Sequence, residues 1–344
     1  MQITEFIKEI GRGGAGARSL DTAQSRSLFS AMFAGQVGEF ELGCVLIALR
    51  MKGESVDEID GALDALDAHL RRIAVDPQRP AVAIPSYNGA RRLPNLVPLL
   101  ACLLAREGIQ VVVHGVRDDP KRLTTYRLMQ ALALPVAGEA PFDSAGSDGT
   151  VATPGTVTTP GTAAIPGTAA APDTAAAAFA ADQPLFIPID LLSPPLAAML
   201  ALRQRAGVRN VAHTLAKLIE PCAPGSLRLA SFTHPEFDRL QHALFERRRA
   251  HALVMRGTEG EVVADPRRQS AIDELRNGSS TRRVEAETRP LAEVPELPPA
   301  HDAAATAAWI REVLAGRLPV PANIERQVRA IIDCAGPAAQ SASG

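Results

Sequence analysis

The chain has 344 residues, of which 46 % are hydrophobic, and a formal net charge of −2 at pH 7. That is enough apolar material for one large or two medium globular domains. The near-neutral total excludes a uniformly basic polyanion binder, so any such surface has to be local. No segment reaches the roughly 18 uninterrupted apolar residues of a membrane span. Met1 to Ile10 carries Glu5, Lys8 and Glu9 in place of an apolar leader core, so a cytoplasmic protein without membrane contact is expected.

The first 72 residues read as helices. Asp21-Thr22-Ala23-Gln24 and Ser55-Val56-Asp57-Glu58 have the spacing of capping boxes, in which side chains satisfy the orphan backbone donors of a helix start. Behind them apolar residues recur at helical intervals: Leu28, Met32, Phe33; Leu42, Val45, Leu46, Leu49; Ile59, Leu63, Leu66, Leu70. A helical domain over 1–76 is expected.

From Ala81 short apolar strands alternate with helices, which is the pattern of a mostly parallel sheet. Strands are expected at Ala81–Ile84, Ile109–Val113, Leu185–Ile189, Leu227–Ser231 and Ala252–Met255. Helices are expected at Leu93–Arg106, Pro120–Ala133, Pro194–Arg205, Val211–Ile219 and Pro235–Arg249. Pro120, Pro194 and Pro235 stand near first helical positions, where a missing N–H costs little. The α/β domain is expected over 77–334. Within it, 138–182 is rich in Pro, Gly, Thr and Ala and holds a crude Pro-Gly-Thr repeat, so it reads as a disordered insertion; 335–344 reads as a loose tail. Cys44, Cys102, Cys222 and Cys334 lack ligand or disulfide spacing and read as buried thiols.

Charge is unevenly placed. Residues 81–134 hold seven basic against three acidic residues, and 183–257 hold ten against five, while only four of the 36 basic residues are lysines. Genomic bias explains an arginine excess, but the planar guanidinium fork also suits phosphate better than an ammonium does. The Arg247-Arg248-Arg249 run reads as compensation of a helix dipole. Tyr87 reads as a packed or base-stacking ring, and His114 as a locally bonded loop residue.

The run Val82 to Asn95, followed by Val111 to Arg117, has the strand–loop–helix–strand–loop layout with which an α/β fold builds a phosphate site. Arginines stand where glycines are usual. The run Leu42-Gly43-Cys44-Val45-Leu46-Ile47-Ala48-Leu49-Arg50-Met51-Lys52-Gly53-Glu54-Ser55 resembles the helical domain of anthranilate phosphoribosyltransferases, which carry a closely similar Leu-Arg-Met-Lys-Gly-Glu-Thr stretch. The resemblance implies a small helical domain, split in the chain with its N-terminal part first, beside a larger, mostly parallel sheet flanked by helices. It also implies dimerisation through the helical part. Members of that family need phosphoribosyl pyrophosphate, magnesium and anthranilate.

Carried across, the family's Gly-Thr-Gly-Gly-Asp-Gly loop falls on Pro85-Ser86-Tyr87-Asn88-Gly89-Ala90, and the backbone cradle reads as lost. Its Asn-Ile-Ser-Thr falls on Asn95-Leu96-Val97-Pro98, and its Lys-His-Gly-Asn-Arg on Val113-His114-Gly115-Val116-Arg117. Its two serines fall on Pro120 and Lys121. The magnesium-holding Asp-Glu pair falls on Val262-Val263, with Glu259, Glu261 and Asp265 as the nearest acids. Asn88, Gly89, Asn95, His114 and Gly115 are thus the vestige of the phosphoribosyl pyrophosphate site, and no metal or cofactor is expected. An Asn-Leu-Leu-Gly-Pro loop is replaced by His213-Thr214-Leu215-Ala216-Lys217, read as continuous helix.

This pattern, with Arg209-Asn210-Val211-Ala212-His213-Thr214-Leu215-Ala216-Lys217-Leu218, resembles the YbiB branch of these proteins, whose members bind nucleic acid without marked sequence preference. The resemblance implies a degenerate scaffold binding DNA or RNA through a basic groove of Arg91, Arg92, Arg117, Lys121, Arg122, Arg127, Arg203, Arg209, His213 and Lys217, with Arg267 and Arg268 at the rim. A glycosyl or phosphoribosyl transferase on a divergent acceptor is the competing reading, and an adaptor for a protein partner is a third.

Overall fold

A computed structural model describes residues 3–13, 16–139, 182–223, 225–287 and 296–336. Four helices open the chain: α1 (Ile3–Ile10), α2 (Thr22–Phe33), α3 (Glu39–Lys52) and α4 (Val56–Asp67). Both expected capping boxes form. Asp21 accepts from the Gln24 N–H and Ser55 from the Glu58 N–H, with the reciprocal bonds present. Leu70 lies beyond the end of α4, in the turn that leads to a short strand, β1 (Ile73–Ala74).

The body follows as β2 (Ala81–Ser86), α5 (Val97–Arg106), β3 (Gln110–Gly115), α6 (Thr125–Ala131), β4 (Leu185–Pro188), α7 (Ile189–Leu192), α8 (Pro194–Ala206), α9 (Ala212–Leu215), β5 (Cys222–Ala223), β6 (Leu227–Phe232), α10 (Pro235–Arg247) and β7 (Ala252–Arg256). Then come β8 (Ile272–Arg276), β9 (Ser279–Val284), α11 (Ala303–Leu314) and α12 (Ala322–Ala335). The main sheet has the order β4-β3-β2-β6-β7-β8-β9, parallel from β4 to β7 and antiparallel over the last two pairings. From β2 the chain winds outward through β3 to β4, then returns to the other side of β2 to lay down β6 and β7. The switch point therefore lies between β2 and β6, and the crevice beyond the carboxyl ends of these strands is where such sheets take ligands.

Side chains of the buried strands alternate between two cores, as the two-residue strand period requires. Ala83, Val112, Ile187, Ala230 and Val254 face the core shared with α1–α4 and α7–α10. Val82, Ile84, Val113, Leu229 and Met255 face the core closed by α5, α6, α11 and α12. The second part of the split helical layer, α7–α9, packs on the same core as the first. β1 pairs parallel with β5 and ties the N-terminal helices to the body.

Several elements depart from expectation. α5 begins at Val97, because Asn95 turns the chain and its Oδ1 accepts the Val97 N–H at 3.1 Å. Pro120 sits in a turn, where Asp119 accepts the Lys121 N–H at 2.9 Å, and Thr124 caps α6 instead. The expected helix over 211–219 contracts to the single turn α9. The Arg247–Arg249 run is not dipole compensation alone: Arg247 reaches Asp57 and Arg248 reaches Asp60 and Asp64, bolting α10 to α4. Cys44 is half-buried, unlike the other three cysteines. Ala335, expected in the loose tail, is the last residue of α12. Of the expected insertion, 140–181 lies outside the described residues, as does 337–344 of the tail. The β8–β9 hairpin turns at Asn277-Gly278, whose φ values of 54° and 83° suit the primed turn that an Asn-Gly pair signals.

Candidate functional site

The loops that leave β2, β3 and β7 meet at the switch point. The β2 loop, Tyr87 to Asn95, is shaped by Ala90, which exchanges backbone hydrogen bonds with Leu123 (2.8 and 3.2 Å), and by Gly89 at φ +70°. A Cβ on Gly89 would stand 2.7 Å from the Leu123 carbonyl, so only glycine fits there.

This geometry aims a row of backbone N–H groups at the β7 loop. Glu261 accepts from the N–H of Asn88 at 2.7 Å and of Gly89 at 2.5 Å. Glu259 accepts from the N–H of Arg91 (2.7 Å), Arg92 (3.0 Å) and Leu93 (3.4 Å). A converging array of backbone donors is an anion site. The cradle expected to be lost is therefore present, and the anions in it are the chain's own carboxylates. Burial pushes the Glu259 carboxyl up, but the N–H groups of Arg92, Arg91 and Leu93 outweigh burial and hold it below the usual carboxylate range.

The β7 loop is pinned from behind. Lys217, just past α9, donates to the Gly260 carbonyl at 2.9 Å, and Ser231 donates to the same oxygen at 3.0 Å. Asn88 donates from Nδ2 to the Glu259 carbonyl at 3.0 Å. Gly260 has φ +88°, and a Cβ there would fall 1.7 Å from Asn88 Nδ2. Glu261 is 2 % exposed, and its Oε2 has no hydrogen-bond partner among the described residues.

The sequence-derived site residues divide into groups. Asn95 is buried and donates to Thr125 Oγ1 at 2.7 Å, which in turn shares a 2.6 Å bond with Ser86. His114 is not a loop residue but a buried member of β3, paired with the Tyr87 hydroxyl at 2.8 Å. Burial lowers its pKa to about 3, so the ring is neutral, and Tyr87 is packed away from any base. Gly115 ends β3 opposite Ser86. Asn95, His114 and Gly115 are buried and hold strands and loops together.

Among the cations, Arg117 is engaged by Glu139 and Asp190, Arg127 by Asp118, Arg203 by Asp119 and Arg267 by Asp265. Among the described residues Arg91, Arg92, Lys121, Arg122, Arg209 and Arg268 form no ion pair. Arg91, Arg92, Lys121 and Arg268 are exposed. Arg209 is the most confined: burial, then Arg203 and Arg122, lower its pKa to about 10, and its Nη2 is buried without a partner. Burial brings Lys217 down to about 8, and His213 to about 3, where it is neutral. Arg256 is exposed at the end of β7, forms no ion pair among the described residues, and was not singled out by the sequence. It lines a cavity of about 430 Å³ with Asp265, Arg267 and Arg268. A second cavity of about 410 Å³ lies between α8 and the β3 loop, walled by Tyr87, Val116, Asp119, Leu200, Arg203 and His213.

The family's magnesium has no fitting donor set here. Val262 and Val263 are fully buried, Glu259 and Glu261 are bonded to backbone N–H groups, and Asp265 is held by Arg267. Among the described residues no cluster of His, Cys, Asp or Glu is placed to hold a metal.

Comparison with known proteins places the frame in a family. The helical bundle domain of the glycosyl transferase family matches residues 4–70. The uncharacterized protein YbiB of Escherichia coli (strain K12) is 39 % identical over the whole chain and 98 % of its own length. The chain belongs to the YbiB-like branch of the anthranilate phosphoribosyltransferase-like family. An anthranilate phosphoribosyltransferase of Beijerinckia indica is 32 % identical over 44 % of this chain and 41 % of its own. The YbiB-like frame also superposes on solved enzymes. Anthranilate phosphoribosyltransferase from Thermus thermophilus has a TM-score of 0.69 at 20 % identity, covering 97 % of this chain and 89 % of its own. The Saccharomyces cerevisiae enzyme in complex with PRPP and Mg has 0.67 at 11 %, covering 97 % and 94 %. No helix among the described residues is long and apolar enough to cross a membrane.

Sequence reasoning named Glu259 and Glu261 only as acids near the position of the family's magnesium pair. Their role depends on a contact across about 170 residues, which no local spacing announces. Gly260→Ala is expected to destabilise the fold by about 1–3 kcal/mol, because the methyl displaces Asn88 and a left-handed backbone is strained with a Cβ. Urea unfolding checks this, and an unchanged midpoint would show that the Asn88–Glu259 contact does not hold the loop.

Proposed function

We propose that this protein binds nucleic acid without sequence preference, through the cationic rim of the crevice at the carboxyl ends of β2, β3 and β7. The observation that carries the reading is the sorting of its cations. Arg91, Arg92, Lys121 and Arg256 form no ion pair among the described residues, nor do Arg122, Arg209 and Arg268, although the charges of these three act on Glu259, Asp119 and Asp265 respectively. Unpaired arginines are held at the rim while the backbone donors between them are already used by Glu259 and Glu261. Such a surface suits an extended polyanion that lies across the rim better than a single phosphate that enters the cradle. Neutralising each phosphate releases counterions, which drives binding without reading bases. With Tyr87 buried, stacking on single strands has little support. The charge geometry serves DNA and RNA alike, since both present a continuous phosphate backbone.

A pair of crevices would raise avidity on a long polymer. The face of α3 that presents Phe40 (79 % exposed), Ile47 and Met51 (81 %) is apolar, with Gly43 bare between them. Homodimerisation through that face would cover these side chains.

A second reading, transfer of a phosphoribosyl or other glycosyl group to an unidentified acceptor, is favoured by the cavity between α8 and the β3 loop. It is large enough for a small molecule and mixes apolar walls with Arg203.

Titration with random-sequence duplex and single strand across salt is expected to give a log affinity falling linearly with log salt, by about 0.9 per phosphate neutralised on duplex. Arg91→Ala with Arg92→Ala should flatten that slope by about one to two, roughly one per lost phosphate contact. Arg127→Ala with Arg267→Ala, which removes paired cations, should change it much less. Weak, salt-independent binding would end the nucleic-acid reading. For the transferase reading, phosphoribosyl pyrophosphate with magnesium should raise Tm by mass action, and an unmoved Tm counts against it. Phe40→Glu with Met51→Glu should shift sedimentation from dimer to monomer, whereas a monomeric parent protein would refute the proposed pairing.

A further inference from the structure

We propose that Glu259 is a built-in competitor for anions: the β2 loop remains a working oxyanion cradle, and the chain keeps it closed with its own carboxylate so that free phosphates are excluded. Three independent features support this. The first is the convergence of the Arg91, Arg92 and Leu93 N–H groups on one carboxylate, alongside those of Asn88 and Gly89 on Glu261. Several backbone donors on one acceptor form an arrangement that a phosphate oxygen shares with a carboxylate.

The second is that the turn at Gly89 and Ala90, which leads into the donor row, is held by contacts other than the carboxylates. Ala90 bonds to Leu123 on both its N–H and its C=O, and Gly89 takes its left-handed turn under the Leu123 carbonyl. These bonds do not involve Glu259, so its removal leaves them in place.

The third is the backbone of the plug. Glu259 stands at φ +54° and Gly260 at φ +88°, so a non-glycine residue is held in the left-handed region beside a glycine that must be there. A backbone held in that region marks a place where the surroundings over-determine the conformation. Here it delivers the Glu259 side chain to the donors.

The two carboxylates are not equivalent. Glu261 is buried, whereas Glu259 is half-buried and reaches solvent. The exclusion is specific to this chain's residues, and it does not depend on the polymer reading. Polymer binding is measured by the salt titration, and the cradle by a small inorganic anion.

The test is calorimetric titration of the full chain with inorganic pyrophosphate in the absence of divalent metal, on the parent protein and on Glu259→Ala. The variant is expected to bind about tenfold or more tightly than the parent, a difference of about 1.4 kcal/mol or more. Amide resonances of Arg91, Arg92 and Leu93 should shift on titration of the variant. Equal affinity in parent and variant would show that Glu259 excludes nothing. A gain whose shifts fall elsewhere, at Arg256 and Arg268 for instance, would also overturn the proposal. Melting without ligand checks that the variant is folded. If it is not, Glu259→Gln keeps an acceptor while removing the charge, and it should show a smaller gain in the same resonances. No gain there refutes the inference.

Discussion

The contact on which the functional end of this protein depends is the insertion of two β7-loop carboxylates into the backbone donors of the β2 loop. An ionised acceptor bonded to several N–H groups is worth more than the same number of neutral bonds, since each charge-assisted bond contributes about 1.5–3 kcal/mol. It also joins strands on the two sides of β6, so the loops at the switch point behave as one body. Lys217 and Ser231 on the Gly260 carbonyl and Asn88 on the Glu259 carbonyl extend the same junction. Around it some cations are ion-paired, Arg203 with Asp119 and Arg267 with Asp265, while Arg91, Arg92, Lys121 and Arg256 form no ion pair among the described residues.

This arrangement goes with a frame shared with phosphoribosyltransferases and with different residues where the resemblance places their pyrophosphate loop and magnesium pair. The frame needs only the sheet order, the split helical layer and the two cores, and those are supplied by apolar patterning. The resemblance places the relatives' pyrophosphate loop on the β2 loop and their magnesium pair on Val262-Val263. Here the array is filled from within, and the ligand positions are buried valines. The fold is shared at 11 % or 20 % identity, and a shared fold does not by itself fix the chemistry of the site.

The helical layer is coupled to the body by charge as well as by packing. Arg248 on Asp60 and Asp64, Arg247 on Asp57, and Arg203 on Asp119 all cross from one part to the other. The arginine-rich composition thus serves two ends: some guanidinium groups fasten elements, and others stay open at the crevice. Composition alone does not divide them. Arg127 and Arg267 look like binding cations in the sequence and are ion-paired in the fold, whereas Arg256 carries no mark in the sequence and stands exposed.

The sequence by itself determined the α/β class, five of the sheet's strands, both capping boxes, the helical N-terminal layer and the family frame. These rest on periodicities of two and 3.6 residues and on cap spacings that act within a turn or two. Only the tertiary structure decided the short α9, the turn at Pro120, the burial of His114 against Tyr87, and which arginines are free. It alone placed Glu259 and Glu261 in the cradle. The physical reason is range: a hydrogen bond between residues some 170 apart is fixed by how β2 and β7 are set in the sheet, and neither loop carries a local mark of the partner it will meet.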